Sequence, residues 1–540
     1  MRKPEGELRI DQYEQLKGGK TNFESYWQIL KDYFYVEAAD VNRSYSEGNE
    51  LDFTYLWDSN TLEAADVLAS GFMSYLTPPS SKWFKLRTSN RAVMEDKKVA
   101  SYLEAIEEEL YHVFNKSNFY NQMFPAYKQS GVYGTSVVYV EEDIDDGLRF
   151  YTVPIKNVCI AEDGKERVRE FFIEYEFTSQ QAIEKFGESN LPYEITQDKD
   201  NRKQDKHKFI LYIGPRYGRD ASKANKENMP YKVLWIEHSK KKIVQEGGYL
   251  ELPGMAHRFY KQPNIVWGFS PAMKALPDAR LLNAEAKTNL RAMMKHTDPP
   301  MAVPSNAFLR PFNANPRALN YYDPSIMNDP RMMMPFANNG NPQIGMMAMQ
   351  YSVQRIKALM FNDVFLTFSG LDKQMNNPEV YERINEKMTL LGPSVGRFLS
   401  DVLQPIITRS INILARMGRL PEPPDEMLDD PRYEIEYVSR LAQAQKHTEL
   451  QTLTTALGVA GNMAQIMPTV LDKIDADKVI DNVWGITGAP VSTLRDDKEV
   501  NEVRQARAEQ EAQLMQMQQA QETAGVIKTA SEADKNMRGE

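Results

Sequence analysis

The chain has 540 residues and a mass of 62.0 kDa, which at roughly 100–200 residues per domain predicts about three to five structural units. Apolar residues make up 42% and charged residues 26%, an ordinary soluble composition that excludes wholesale disorder. A formal net charge of −10 argues against a generic nucleic-acid coat, which would carry a basic excess.

The first 130 residues read as helical. Asn22-Phe23 opens a segment with Phe23, Tyr26, Trp27, Leu30, Tyr33 and Phe34 at the 3–4 spacing of one buried helix face. A second helix is predicted from about Ser59 to Tyr75, lined by Leu62, Ala65, Ala69 and Phe72 and stopped by Pro78-Pro79. A third runs from about Val93 to Phe114 with Tyr102, Ile106 and Leu110 as its stripe. The period then changes. Runs at 137–140, 149–155, 170–177, 209–213 and 232–236 are short, β-branched or aromatic, and separated by turn-forming residues. Thr178 and Gln181 make a capping box for a short helix that Gly187 ends. Residues 130–265 therefore predict a mostly antiparallel α+β unit.

Helix returns after Trp267-Gly268-Phe269-Ser270-Pro271, with Ser270 as N-cap and Pro271 at the first helical position. From Pro271 to His296 a helix of 1.5 Å rise is about 39 Å long. Leu282, Ala286, Leu290 and Met293 fall on one face, and Arg280, Lys287, Arg291 and Lys295 form a narrow stripe on the other. Residues 297–345 break the pattern with nine prolines, yet their methionines and aromatics predict a compact excursion that packs on a partner. Helix resumes over 346–361 and a turn-rich loop follows at 367–376. Asn377-Pro378-Glu379 then caps a long helical region to Met417, interrupted at Gly392-Pro393 and Pro405. Residues 436–490 form a helical unit of modest apolarity. The Gln-, Ala- and Glu-rich tail from Asp496 predicts an assembled bundle or partial disorder.

Catalytic chemistry is hard to find. One cysteine, Cys159, excludes an intramolecular disulfide framework, and with six scattered histidines it excludes a Cys/His zinc cluster. Gly18-Gly19-Lys20-Thr21 looks like the end of a phosphate-binding loop, but Glu14 stands where the motif needs glycine and no apolar strand precedes it. Gly268-Phe269-Ser270-Pro271-Ala272 looks like a degenerate nucleophile elbow, yet the proline removes the N–H that an oxyanion hole would use. No enzyme, cofactor or metal is predicted. No apolar stretch reaches the ~18 residues that span a bilayer, and the opening MRKPEGELRI lacks a signal-peptide core, which predicts an intracellular, soluble protein with no membrane partner.

The ordering of a mixed α+β body, a long helix, a Pro-rich excursion, a returning helix, a loop and a kinked long helix resembles the portal proteins, or head-to-tail connectors, of short-tailed bacteriophages. The stretches that carry the resemblance are 60–86 (NTLEAADVLASGFMSYLTPPSSKWFKL), 131–140 (GVYGTSVVYV), 267–294 (WGFSPAMKALPDARLLNAEAKTNLRAMM) and 378–424. It covers most of residues 50–425, and its specificity lies in the order of several stretches. The resemblance implies a predominantly helical α+β portal fold in a ring, usually of twelve subunits, at one capsid vertex of the virion. In it, 1–269 is the wing, 270–296 and 346–362 the stem, 297–345 the clip, 363–377 the channel loop, 378–435 the kinked helix returning to the wing, and 436–540 the crown or barrel. The implied partners are other copies of the chain, double-stranded DNA, the terminase large subunit, head-tail adaptor and tail proteins, the major capsid protein, and scaffold or core proteins, with assembly in the host cytoplasm.

Physical estimates agree with a channel. Twelve helices each about 10 Å wide close a circle with a bore of roughly 28 Å, wide enough for a duplex on the order of 20 Å across. Twelve copies at −10 sum to −120, and DNA that must slide is not gripped by many phosphate contacts. Arg280, Lys287, Arg291 and Lys295 would then form basic rings facing the bore, or else pair with a neighbour's acids or with solvent. The loop residues Ser369, Lys373, Gln374 and Asn376 would protrude into the channel, or simply connect two helices. Met327, Met332, Met333, Met334 and Phe336 would pack at the clip against a partner or inside the subunit. Two other functions stay open: a different head-tail adaptor or scaffold ring, and an NTPase using Lys20.

Overall fold

The computed structural model describes residues 3–42, 54–88, 96–197, 206–220, 222–223, 225–304, 342–370, 391–427, 433–438, 440–464, 474–487 and 499–515, with 313, 315, 318–322, 334–335, 467, 469, 493 and 495 as short pieces. The helices are α1 (Glu5–Phe34), α2 (Asn60–Leu76), α3 (Lys97–Lys116), α4 (Phe119–Tyr133), α5 (Ser179–Phe186), α6 (Tyr193–Gln197), α7 (Pro271–Thr297), α8 (Pro342–Leu359), α9 (Asn362–Gly370), α10 (Gln404–Arg416), α11 (Arg440–Ala464) and α12 (Ala476–Thr487). The strands are β1 (Phe84–Thr88), β2 (Thr135–Asp143), β3 (Gly147–Val153), β4 (Val158–Glu162), β5 (Val168–Thr178), β6 (Lys206–Pro215), β7 (Tyr231–Glu237), β8 (Lys242–Tyr249), β9 (Gly254–Arg258), β10 (Met301–Pro304), β11 (Leu319–Tyr322), β12 (Met334–Pro335) and β13 (Tyr433–Tyr437). The chain divides into two compact units, residues 1–82 with 110–419, and residues 83–109 with 420–540.

In the first unit, β4-β5-β6-β7-β8 form an antiparallel meander. The period-2 alternation of strands decides what each face buries. Ile210 and Tyr212 point with Phe172, Leu234 and Ile236 to one side, where Ile10 and Tyr13 of α1 cover them. Phe209 points to the other side and packs with Ala182 and Phe186 of α5 and Ile195 of α6. The Thr178–Gln181 capping box closes α5 at its start, and Gly187 ends it at φ 78°. A second sheet, β3-β2-β9, is also antiparallel. The α+β character expected for this region stands, with β4, β8 and β9 as strands beyond the five read from sequence.

Several helices differ from expectation. The first is one continuous helix from Glu5 rather than from Asn22, so Gly18-Gly19-Lys20-Thr21 lies inside α1. The segment before β2 is a separate helix, α4, that holds Pro125 in its interior. In α3 the buried stripe is Val99, Leu103, Ile106 and Leu110 rather than Tyr102. Residues 362–370 are helical, so the loop expected from residue 363 begins no earlier than 371. The interruption at Pro405 is absorbed by a wide π turn over Leu399–Leu403. That is the expected response to a ring that lacks an N–H and would clash with the carbonyl four residues back.

Between α8 and α9, Phe361 adopts φ 58°, a left-handed conformation that is rare for a bulky side chain. The neighbouring residues anchor it. Met360 is buried, the Asn362 side-chain amide is satisfied with its nitrogen turned to the carbonyls of Ala64 (3.0 Å) and Met360 (3.1 Å), the orientation its surroundings require, and Phe365 fills a notch at Gly71 where no Cβ would fit.

In the second unit β1 pairs antiparallel with β13, Phe84 opposite Tyr437 and Thr88 opposite Tyr433, and Glu107 accepts from the Leu86 N–H at 2.6 Å. Arg504 grips Asp477 of α12 with two hydrogen bonds of 2.8 and 2.6 Å. The stretch 83–109, read from sequence as part of an N-terminal 1–269 body, thus groups with residues 420–540. A pairing across that sequence separation leaves no local signal.

Candidate functional site: a helical hairpin with a basic face

Helix α7 begins at the predicted cap. The Ser270 hydroxyl accepts from the Met273 N–H (3.0 Å) and donates to the Val132 carbonyl (2.7 Å), fully buried, which leaves no free nucleophile at that serine. The Tyr26 hydroxyl reaches the Met273 carbonyl at 3.5 Å, so α1 flanks the start of α7.

The returning helix α8 packs antiparallel on α7, and its contacts fix which side of α7 it covers. Arg355 pairs with Asp278 (3.3 Å), Ser352 donates to Glu285 (2.9 Å), and Asn289 reaches the Met349 sulfur (3.7 Å). Gly345 lies so close to Asn289 that an added Cβ would stand 2.6 Å from its Oδ1. Asp278, Glu285 and Asn289 lie about 140–180° around the helix from Arg280 at 100° per residue. Arg280, Lys287, Arg291 and Lys295 therefore occupy the side turned away from α8. Arg280 and Arg291 are exposed, and Lys287 and Lys295 half-buried. None of the four makes an ion pair with a described acidic residue. Lys287 instead stands over the indole of Trp57, 5.4 Å from the ring centroid.

The apolar face is only half used. Leu282 and Ala286 are buried, whereas Leu290 and Met293 are 40% and 44% exposed on a single copy. Met347 and Tyr351 of α8 are likewise open, at 70% and 62%. Beyond α7, β10 pairs with β11 in parallel and with β12 antiparallel, a small sheet that sequence did not predict. Met334 sits in β12 opposite Ala302. Met327, Met332, Met333 and Phe336 lie outside the described residues, as do Lys373, Gln374 and Asn376 and the cap at Asn377. Ser369 lies in the last turn of α9.

The phosphate-loop look-alike has another role. The Lys20 ammonium is buried, donates to the Lys156 carbonyl (2.7 Å) and pairs with Glu24 (3.2 Å). Burial pulls its pKa down, against the pull of nearby Cys159 and Glu24. Burial likewise pushes the Cys159 thiol up to about 11, far from the thiolate that reactivity needs. Among the described residues no group of three His, Cys, Asp or Glu is placed to hold a metal ion, and no described helix is long and apolar enough to cross a membrane.

The residues that sequence reasoning missed are those that orient the hairpin: Trp57, Asn283, Asp278, Glu285, Ser352 and Arg355. Asp278 and Glu285, two turns apart and opposite the basic stripe, were the available signal for the side that meets α8.

Such a hairpin, with an α+β body before it and a kinked helix after it, defines a connector class, and comparison places the chain in it. The family described as bacteriophage head to tail connecting protein matches residues 7–494. The portal protein of Salmonella phage epsilon15 is 30% identical over 542 residues, covering 98% of this chain and 96% of that protein. The probable portal protein of Bordetella phage BPP-1 is 28% identical over 544 residues, covering 98% and 97%. The chain belongs to this family: it is a portal-type structural connector serving as the channel for DNA packaging, a capsid-associated virion component of the head vertex and not an enzyme.

Proposed function

We propose that twelve copies close into a ring, that α7 and α8 form its stem, and that the stripe Arg280, Lys287, Arg291 and Lys295 faces the DNA. One observation carries the reading. The hairpin turns these cations, which pair with no described acid, away from α8 while leaving Leu290, Met293, Met347 and Tyr351 open on its flanks. Apolar surface of that kind on a single copy is what neighbouring copies would bury.

In this arrangement 1–269 without 83–109 serves as wing, 297–345 as clip, 371–377 as what remains of the channel loop, 378–435 as the helix back to the wing and 436–540, grouped with 83–109, as crown or barrel. The clip, with Met327, Met332, Met333, Met334 and Phe336, docks the terminase large subunit first and head-tail adaptors later. The wing meets the major capsid protein and scaffold or core proteins during assembly in the host cytoplasm. Sparse cations suit sliding, since each phosphate gripped adds to the salt-dependent hold on DNA.

The test is to replace Lys287, Arg291 and Lys295 together by glutamine. Class averages of negatively stained protein should still show twelvefold rings, while packaged DNA is lost or poorly retained. Normal packaging by intact rings overturns the DNA-facing role, and a protein monomeric at every concentration overturns the ring.

A further inference from the structure

Residues 54–59 run along one flank of α7 just before α2 begins, and a single side chain seats them. The Trp57 N–H donates to Asn283 Oδ1 at 2.6 Å, and Asn283 Nδ2 donates to the Tyr55 carbonyl at 2.9 Å. Asn283 thus satisfies a backbone donor and a backbone acceptor of the same short segment. Lys287 stands four residues on, on the same flank, with its ammonium over the Trp57 ring. The indole is 42% exposed and Lys287 half-buried, so the pair borders solvent.

We propose that Trp57 is a positioning residue that holds the Lys287 ammonium in place on the DNA-facing side of the stem. The proposal rests on the channel reading of the basic stripe. A lysine on an open helix face samples many rotamers, and ordering it at each phosphate encounter costs entropy. A carboxylate partner would order it but cancel its charge. An indole face attracts the cation through its quadrupole and leaves the charge intact, with the ammonium's donors on the side away from the ring free for a phosphate oxygen. Lys295, on the same stripe, has no such aromatic partner among the described residues and supplies an internal comparison.

The experiment uses assembled full-length rings. Acetylation of surface amines is followed by mass spectrometry, with Lys287 read against Lys295. Trp57→Ala should raise the Lys287 labelling rate about two- to fivefold, the factor an exposed cation–π contact is worth, and Trp57→Phe should restore most of the protection. In particles challenged with rising salt, Trp57→Ala and Lys287→Gln should lower DNA retention to a similar degree, and the double variant should be no worse than Lys287→Gln alone. Should Trp57→Ala fail to assemble, Trp57→Leu keeps the bulk without the ring. Unchanged Lys287 labelling, or additive losses in the double variant, overturns the positioning role. A labelling shift alongside normal DNA retention in Lys287→Gln overturns the channel reading instead.

Discussion

Gly134 and Gly268 lie backbone to backbone, each occupying the space that the other's Cβ would need. Gly134 ends α4 at φ 81°, the Gly268 N–H donates to the Thr135 hydroxyl at 2.8 Å, and Ser270 reaches back to Val132. Two stretches far apart in sequence, 131–140 and 267–294, are thereby one structural joint. Gly134→Ala should cost about 3 kcal/mol, combining left-handed strain with overpacking against backbone that cannot yield. Thermal denaturation checks it, and a loss under about 1 kcal/mol would mean the joint is looser than described.

The opposite sign is expected at Gly18 and Gly19. Both sit exposed in the middle of α1, with nothing within 4 Å of an added Cβ. Each alanine should stabilise the protein by about 1 kcal/mol through helix propensity alone. The measurement is a rise in melting temperature with ring assembly unchanged.

Lys20→Ala should destabilise by about 2–3 kcal/mol, because the change leaves the Lys156 carbonyl and the Glu24 carboxylate without their buried partner. Denaturant unfolding reads this directly. A variant as stable as the parent would show that the ammonium contributes nothing to holding α1 on the first unit.

His257 should make the protein acid-sensitive in a defined window. Its ring is fully buried, receives the Ser130 hydroxyl at Nδ1 (2.6 Å), donates from Nε2 to the Ser394 carbonyl (3.3 Å) and packs on Phe398. Burial pulls its pKa from 6.5 to about 3, with Arg258 and Arg397 nearby pushing the same way and the Ser394 carbonyl opposing. The unfolded chain therefore binds the proton more readily, so the neutral ring's contribution is complete above about pH 6.5 and is lost as pH falls toward 3. Replacing His257 by glutamine should lower stability at pH 8 and flatten the urea midpoint between pH 6.5 and 4. Glu174, held at about 2 despite burial by Lys208, Tyr13 and Lys17, contributes in a window that reaches lower, from 4.5 toward 2. A profile unchanged by the substitution would remove His257 from the acid response.

Gly345→Val should spread the hairpin, since the branch would press on Asn289. A soluble subunit that no longer forms rings is the expected result, seen by light scattering. Rings of normal yield would mean that α7 and α8 tolerate a wider spacing.

Local chemistry made much of this fold readable in advance. The capping box at Thr178 and Gln181, the Ser270 cap and the β-branched and aromatic run from Phe209 to Ile213 each act within a few residues, and each reappears in the structure. Pro125 hid α4, because propensity penalises an interior proline that tertiary packing tolerates. Strand β9, Gly-Met-Ala-His-Arg, has no β-branched residue to mark it and is a strand because β2 pairs with it. At the candidate site the four cations were legible as a stripe from period alone. Trp57, 230 residues from Lys287, was not, because a periodicity says which side chains share a face and nothing about what crosses it.

Phe361 gives the hairpin's far end a mechanical character. A left-handed aromatic costs on the order of 1–2 kcal/mol, and Asn362 and Phe365 hold it bent by their seating on Ala64 and Gly71 of α2. The bend between α8 and α9 is therefore a loaded spring whose catch is α2. A side chain at Gly71, distant in sequence, would displace Phe365 and release the catch, while glycine at 361 would disarm it.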